Sequence, residues 1–248
     1  MQMITDGIVI KENDVGEYDR AITVLTRDFG IIHAFAVGAR RLKSKKNTST
    51  SLLAYSRFSF ADNGKSIRVD EATPIEMFFP LRYDIVRLSA AQYICELCGT
   101  LAPREEPAEM FLRIVLNTIF FLTQPERDPH ILLCIAEMQL LCLSGYQPDL
   151  VGCTSCGSFE KGKMYFSVSD ANIICSECDN IPTVDRYELD KELLFALRHI
   201  TYSPIEKIFT LYLSPEKAKY LAKVVEAYTL SRTERSYKSL EFLHTVDI

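Results

Sequence analysis

The 248-residue chain is 48% hydrophobic and 25% charged, and its 28 Lys/Arg against 33 Asp/Glu leave a net charge of −5. Mean hydropathy of +0.03 fits a globular protein, and no apolar run of about 18 residues could span a membrane. A uniformly basic nucleic-acid binder is excluded, but a local patch is not: five cations fall between residues 40 and 46 of an otherwise nearly balanced N-terminal third.

In chain order, the first 75 residues read as β structure. Gly7 to Ile10 begins a strand, and Ala21 to Leu25 begins a second, rich in β-branched residues. Asp28-Phe29-Gly30 is a turn leading into Ile31 to Val37. A further apolar and aromatic run from Leu52 to Phe60 ends at Asp62-Asn63-Gly64, a hairpin signal because both turn positions of the tightest hairpins need positive φ. Ile67 to Val69 supplies a fifth strand. Five short strands predict a small barrel; an OB-fold is of this kind, and an SH3-like barrel competes with it. Between the third and fourth strands lies a polar loop carrying Arg40, Arg41, Lys43, Lys45 and Lys46. Such cations can neutralise phosphates; the plain alternative is a solvated loop. Tyr18, Phe35, Tyr55 and Phe58 could stack on bases or fill the barrel.

Pro74 to Pro80 reads as a connector, with Phe78 and Phe79 packing between domains. The period then becomes helical: Val86, Ala90, Tyr93, Ile94, Leu97 and Leu101 line one stripe behind an Asp84 N-cap. Pro107 starts a second helix through Phe111, Ile114, Val115, Thr118 and Leu122, and Pro125 ends it. Asp128-Pro129 opens a third through Leu133, Ala136, Leu140 and Leu143, stopped by Gly145. Asp185 and Glu188 have capping-box spacing before Leu189, Leu193, Ala196 and Leu197. Ser214-Pro215 opens another helix, with Ala218, Leu221, Ala222 and Val225 on one face. An amphipathic segment from about Ser236 to Leu243 closes the sequence. The expected division is a barrel domain over 1–80 and a helical domain over 81–248.

Within the helical part, Cys153-Thr154-Ser155-Cys156 is followed by Cys175-Ser176-Glu177-Cys178, in a module of roughly 151–180. Two C-x2-C pairs at this separation suit one tetrahedral zinc ion, and four thiolates leave no open position, which makes the metal structural. Gly157 fits the knuckle after the first pair. Two disulfides or four buried thiols are the alternatives. The opening residues lack a signal peptide's basic and apolar regions, so a cytoplasmic chain with reduced thiols is expected.

Other motifs read as background. Cys95 and Cys98 lie mid-helix at i, i+3, and Cys134 and Cys142 read as core thiols. Gly157-x4-Gly162-Lys163 imitates a P-loop, but Met164 stands where Ser or Thr should hold magnesium. His33, His130, His199 and His244 are scattered, so no catalytic constellation is expected.

Three stretches resemble the RecO family of bacterial recombination and repair proteins. They are Gly7 to Lys11 with Gly16 to Arg20; Leu25-Thr26 with Gly30 and Val37 to Arg41; and Gly145-Tyr146-Gln147-Pro148 running into Cys153 to Gly157. The resemblance implies an α+β chain with an N-terminal five-stranded OB-fold and a helical domain carrying the zinc module. It implies a non-enzymatic mediator that binds single- and double-stranded DNA, anneals complementary strands and assists recombinase loading. The partners it implies are RecR and single-strand-binding protein. Arg40, Arg41, Lys43, Lys45 and Lys46 take the DNA-contacting role, and Cys153, Cys156, Cys175 and Cys178 the zinc role. Such proteins often carry a glycine pair before the third cysteine; here Asp170-Ala171-Asn172 stands there, and Asn172 is expected to supply the positive φ. An RNA-binding accessory factor and a protein-interaction scaffold are the competing functions.

Overall fold

The computed structural model describes residues 2–179 and 185–247. Strands β1 (Gln2–Val15), β2 (Asp19–Thr26), β3 (Gly30–Ala36), β4 (Tyr55–Asp62) and β5 (Ile67–Glu76) close into a barrel in the order β1-β2-β3-β5-β4. Closure depends on β1 serving two neighbours. Its first half pairs with β4 (Gln2↔Ala61 to Ile8↔Tyr55), and its second with β2 (Gly7↔Thr26 to Val15↔Asp19), across a bulge between Val9 and Lys11. Gly7 sits in the overlap, where an added Cβ would lie 2.7 Å from Val24 Cγ1. The short parallel pairing of β3 with β5 at Ala34↔Ile67 and Phe35↔Arg68 completes the OB-fold order.

Alternation packs the barrel. Val9, Ile22, Val24, Ile32, Ala34, Phe58, Phe60 and Val69 are buried inside it, and the Phe58 and Phe60 rings stack with centroids 5.2 Å apart. Of the four aromatics open to either role, Phe58 is therefore core, whereas Tyr18 and Phe35 are each 44% exposed.

Several boundaries differ from the sequence reading. The β4–β5 turn has positive φ only at Gly64. Asn63 instead accepts the Lys65 and Ser66 amides on its side-chain oxygen, making a longer Asx-type turn. Strand β5 runs on through Pro74 to Glu76. It pairs with β3 only at its start, so beyond Arg68 its other edge pairs with no strand among the described residues, the setting in which a strand tolerates proline. Phe78 is buried in the left-handed region (φ 46°), but Phe79 is half exposed, with Arg82 5.2 Å from its ring centroid.

Two compact units divide the chain: residues 1–124 with 237–248, and residues 125–236. The first adds a short helix α1 (Lys46–Ser49), α2 (Ile85–Leu101), α3 (Glu109–Leu122) and α8 (Lys238–Val246) to the barrel. Asp84 caps α2 as expected, accepting the Arg87 amide at 3.1 Å. Helix α8 lies along α2: Tyr237 meets Tyr93 edge-on at 5.7 Å, and Glu96 accepts the Ser239 amide at 3.0 Å.

The second unit holds α4 (Pro129–Leu143), α5 (Lys191–Tyr202), α6 (Ile205–Ile208), α7 (Pro215–Thr233) and a small sheet. Its strands are β6 (Asp149–Cys153), β7 (Met164–Ser167), β8 (Asn172–Cys175) and β9 (Arg186–Leu189), ordered β6-β8-β7-β9. Asp128 and Ser214 cap α4 and α7 as expected. Leu143, counted in the α4 stripe, is 37% exposed at the last turn. Asp185 and Glu188 form no capping box. Glu188 pairs in β9 opposite Tyr165, and α5 starts after Asp190, which accepts the Leu193 amide at 2.8 Å.

Candidate nucleic-acid interface and metal centre

The basic loop leaves β3 through Gly38, whose φ of +65° turns the chain and whose amide donates to Asp19 at 2.7 Å. The five cations then separate by role. The Arg40 guanidinium donates to the Gly16 and Glu17 carbonyls at 3.2 Å each and pairs with Asp14 at 3.1 Å; it ties the loop root to the β1–β2 hairpin. Lys46 donates to the Val69 carbonyl at 2.7 Å. Arg41, Lys43 and Lys45 are exposed and make no ion pair among the described residues. Arg41 lies over the Tyr18 ring at 5.2 Å, and Leu42, between Arg41 and Lys43, is wholly exposed. Three of the five residues are thus presented to solvent, and two hold the loop that presents them.

The candidate metal centre forms where two strand ends meet. Cys153 closes β6 and Cys175 closes β8, and each C-x2-C turn then folds back. The Gly157 amide donates to the Cys153 carbonyl at 2.8 Å, with Gly157 at φ +72°; the Cys178 amide donates to the Cys175 carbonyl at 3.0 Å. Gly152 lets the first turn press on β6, since a Cβ there would lie 2.9 Å from the Gly157 oxygen. Asn180, at the end of the predicted module, lies outside the described residues.

All four sulfurs fall within 4.8 Å of one another. Cys156 Sγ and Cys175 Sγ are 3.8 Å apart, far beyond a disulfide bond. A tetrahedron with metal–sulfur bonds of about 2.3 Å has edges near ~3.8 Å, so the donor set fits one ion. The Cys175 amide points at Cys153 Sγ at 3.3 Å, a contact that favours thiolate. Ser158 acts alike on Cys156, its hydroxyl and amide pulling that thiol down to about 6. Cys178 is pushed up to about 12 by hydrogen bonds shared with Cys175 and Cys156. An incoming cation would displace that proton.

The pattern of cysteines did not reveal what holds the module. Arg198 of α5 donates to the Leu150, Val151 and Phe159 carbonyls at 2.7, 3.1 and 2.6 Å and covers the Phe159 ring at 3.8 Å. Arg232 of α7 donates to the Val168 and Ser169 carbonyls at 2.6 and 2.7 Å. A lone arginine in a helix carries no sequence signal for such a clamp. The positive φ before the third cysteine falls on Ala171 (54°), not Asn172. Asn172 is paired with Ser167 in the β7–β8 ladder and must stay extended. Left-handed backbone costs alanine about 1–2 kcal/mol and glycine almost nothing. Ala171→Gly should therefore raise stability by about 0.5–1 kcal/mol once the unfolded chain's added entropy is deducted, read as a higher denaturant midpoint at unchanged slope.

The remaining cysteines are inert packing groups. Cys95, Cys98 and Cys134 are buried, and burial pushes the Cys95 and Cys142 thiols up to about 12. The false P-loop is part of the cysteine module, where Lys163 pairs with Glu188 at 2.9 Å.

A closed OB-type barrel with a cationic loop, followed by a helical unit whose small sheet carries a four-cysteine cluster able to hold a metal ion, defines the class of protein. The profile described as "Recombination protein O N terminal" matches residues 1–78, and that described as "Recombination protein O C terminal" matches residues 82–241. The chain belongs to the RecO family. It is 33% identical to the DNA repair protein RecO of Acetivibrio thermocellus over 98% of this chain and 96% of that one. Identity to the RecO of Symbiobacterium thermophilum is 31% over 97% and 96%, and to that of Dehalococcoides mccartyi 30% over 98% and 95%. The family places the chain in DNA repair. No helix among the described residues is long and apolar enough to cross a membrane.

Proposed function

We propose that the chain is a non-enzymatic recombination mediator: it binds single- and double-stranded DNA, anneals complementary strands and assists recombinase loading on strands coated by single-strand-binding protein. RecR and single-strand-binding protein are the partners this reading implies, and the cytoplasmic nucleoid is its place of action. The observation that carries it is the set of exposed cations at Arg41, Lys43 and Lys45, held out by a loop whose root is pinned through Arg40 and Lys46. Annealing needs no nucleophile or general base; it needs phosphate repulsion offset while two strands search for register. In this reading the barrel over 1–80 and the rest of the chain divide the work, a division supported by separate profile matches to residues 1–78 and 82–241. The metal is a structural zinc, because four thiolates fill a tetrahedron and leave no site for water.

The test replaces Arg41, Lys43 and Lys45 together by Ala and follows binding and annealing of fluorescent oligonucleotides at several salt concentrations. Losing three phosphate contacts should flatten the slope of log affinity against log salt by about 2 for single strands. Annealing should slow in parallel. An unchanged slope would remove the loop from the mechanism.

A further inference from the structure

We propose that Cys156 is a site of oxidative modification: hydrogen peroxide converts its thiolate into a disulfide with Cys178, and the cysteine module then gives up its metal. The proposal rests on the reading above that the four cysteines hold a zinc ion, and it says how that ion leaves.

The two members of each C-x2-C pair differ in depth. Cys153 and Cys175 are 2% and 0% exposed, and they close β6 and β8. Cys175 is fixed opposite Met164 in the β7–β8 ladder and sends its amide to Cys153 Sγ at 3.3 Å. The second member of each pair stands on the turn beyond the strand, where Cys156 is exposed and Cys178 half-buried. Of the eight cysteines in the chain, Cys156 alone is exposed. Its neighbours Thr154, Ser155 and Gly157 are exposed as well, so it lies on the open side of the module.

A second thiol is within reach. The Cys156 and Cys178 sulfurs fall inside the 4.8 Å that encloses all four, and a disulfide needs about 2.0 Å. Two turn residues can share that closure. Cys175 is also near, 3.8 Å from Cys156, but moving it pulls on the strand ladder. Cys178 lies outside the ladder, in a turn closed by its amide to the Cys175 carbonyl at 3.0 Å. Lys161, beyond the first turn, pairs with Glu177 of the second at 2.5 Å and holds the two turns side by side.

Metal ligation keeps a thiol deprotonated, and an accessible thiolate beside a resolving cysteine is the arrangement that peroxide oxidises. The Cys156 sulfur attacks one peroxide oxygen, the O–O bond breaks, hydroxide leaves and a sulfenic acid forms. The Cys178 thiolate then attacks that sulfur; the S–S bond forms as the S–O bond breaks and a second hydroxide leaves. Two thiolates have lost two electrons to peroxide, and two solvent protons turn the hydroxides into water. Cys153 and Cys175 remain, half of a tetrahedral donor set, too few to retain the ion.

The test treats the zinc-loaded chain with hydrogen peroxide beside a colorimetric zinc chelator. Loss of one zinc per chain is expected, reversed by dithiothreitol and added zinc, with no release by the chelator alone. Trypsin cuts at Lys161 and Lys163, between the two pairs, so a Cys156–Cys178 bond joins two peptides whereas bonds within the pairs join none. Dimedone should label Cys156 before any other cysteine, and Cys153, Cys175, Cys95, Cys98 and Cys134 should stay open to alkylation after denaturation. Zinc retained under peroxide, release without a cross-pair bond, or first labelling elsewhere overturns the proposal and leaves the metal reading standing. A chain that holds no zinc before treatment removes both.

Discussion

Cys175→Ser is expected to abolish metal binding and to unravel the module between β6 and β9. Cys175 is fully buried, pairs with Met164 in the β7–β8 ladder and sends its amide to Cys153 Sγ. One substitution therefore removes a ligand and disturbs the neighbouring one. Small zinc modules draw on the order of 10 kcal/mol or more of folding free energy from their metal, and the segment between Cys153 and β7 has little else. The stretch from Thr154 to Lys163 buries no side chain deeply. Because Arg198 and Arg232 fasten the module's carbonyls to α5 and α7, the loss should spread through the second unit and lower its melting temperature. Metal content by elemental analysis and proteolysis of the 151–179 region provide the readout. The comparison is Cys95→Ser, a buried helical thiol, which should retain the metal at a cost of about 1–3 kcal/mol. Full metal occupancy with unchanged protection in Cys175→Ser would refute the four-thiolate centre.

Gly30→Ala should be the most damaging single-methyl change in the first unit. Gly30 has φ +64°, and a Cβ there would sit 2.2 Å from the Pro103 oxygen and 2.9 Å from the Glu106 oxygen. Both are backbone atoms, so neither can rotate away. The same stretch is fixed to the barrel: the Ile31 amide donates to the Pro103 carbonyl at 3.0 Å, and the Ala108 amide to the Arg27 carbonyl at 2.9 Å. The left-handed penalty of about 1–2 kcal/mol and an overpacking cost of about 1–3 kcal/mol act together. A loss of roughly 3 kcal/mol is expected, measured by urea unfolding. Gly16→Ala serves as the reference, since Gly16 also has positive φ (58°) but open space around it; it should cost only the backbone part.

The barrel was legible because its signals are local. β-branched alternation and turn residues mark strands within a few positions, and Asp84, Asp128 and Ser214 mark helix starts by the oxygen they offer to a nearby amide. Asp185 and Glu188 misled because spacing alone cannot tell a cap from a β-hairpin edge; the strand partner Tyr165 lies more than twenty residues away. The cysteine cluster was visible as a motif, whereas Arg198 and Arg232 were not. Their partners are backbone carbonyls, which every residue possesses, so nothing in composition or spacing distinguishes them. The basic loop was legible as a patch, but its division into presenting and presented residues was not. Arg40 and Lys46 differ from Arg41, Lys43 and Lys45 only in which carbonyls lie within reach.

The place of α8 has a consequence for biosynthesis. The helix over Lys238–Val246 belongs with the barrel and α2, yet the ribosome makes it after the whole of residues 125–236. The inserted unit is continuous in sequence, so all of it is synthesised before the helix that completes the barrel unit. The barrel unit is not continuous: until α8 emerges from the exit tunnel, the α2 surface around Tyr93 and Glu96 waits for Tyr237 and Ser239. Assembly of the first unit thereby waits on synthesis beyond residue 236, so a nascent chain arrested before Tyr237 leaves that α2 surface uncovered.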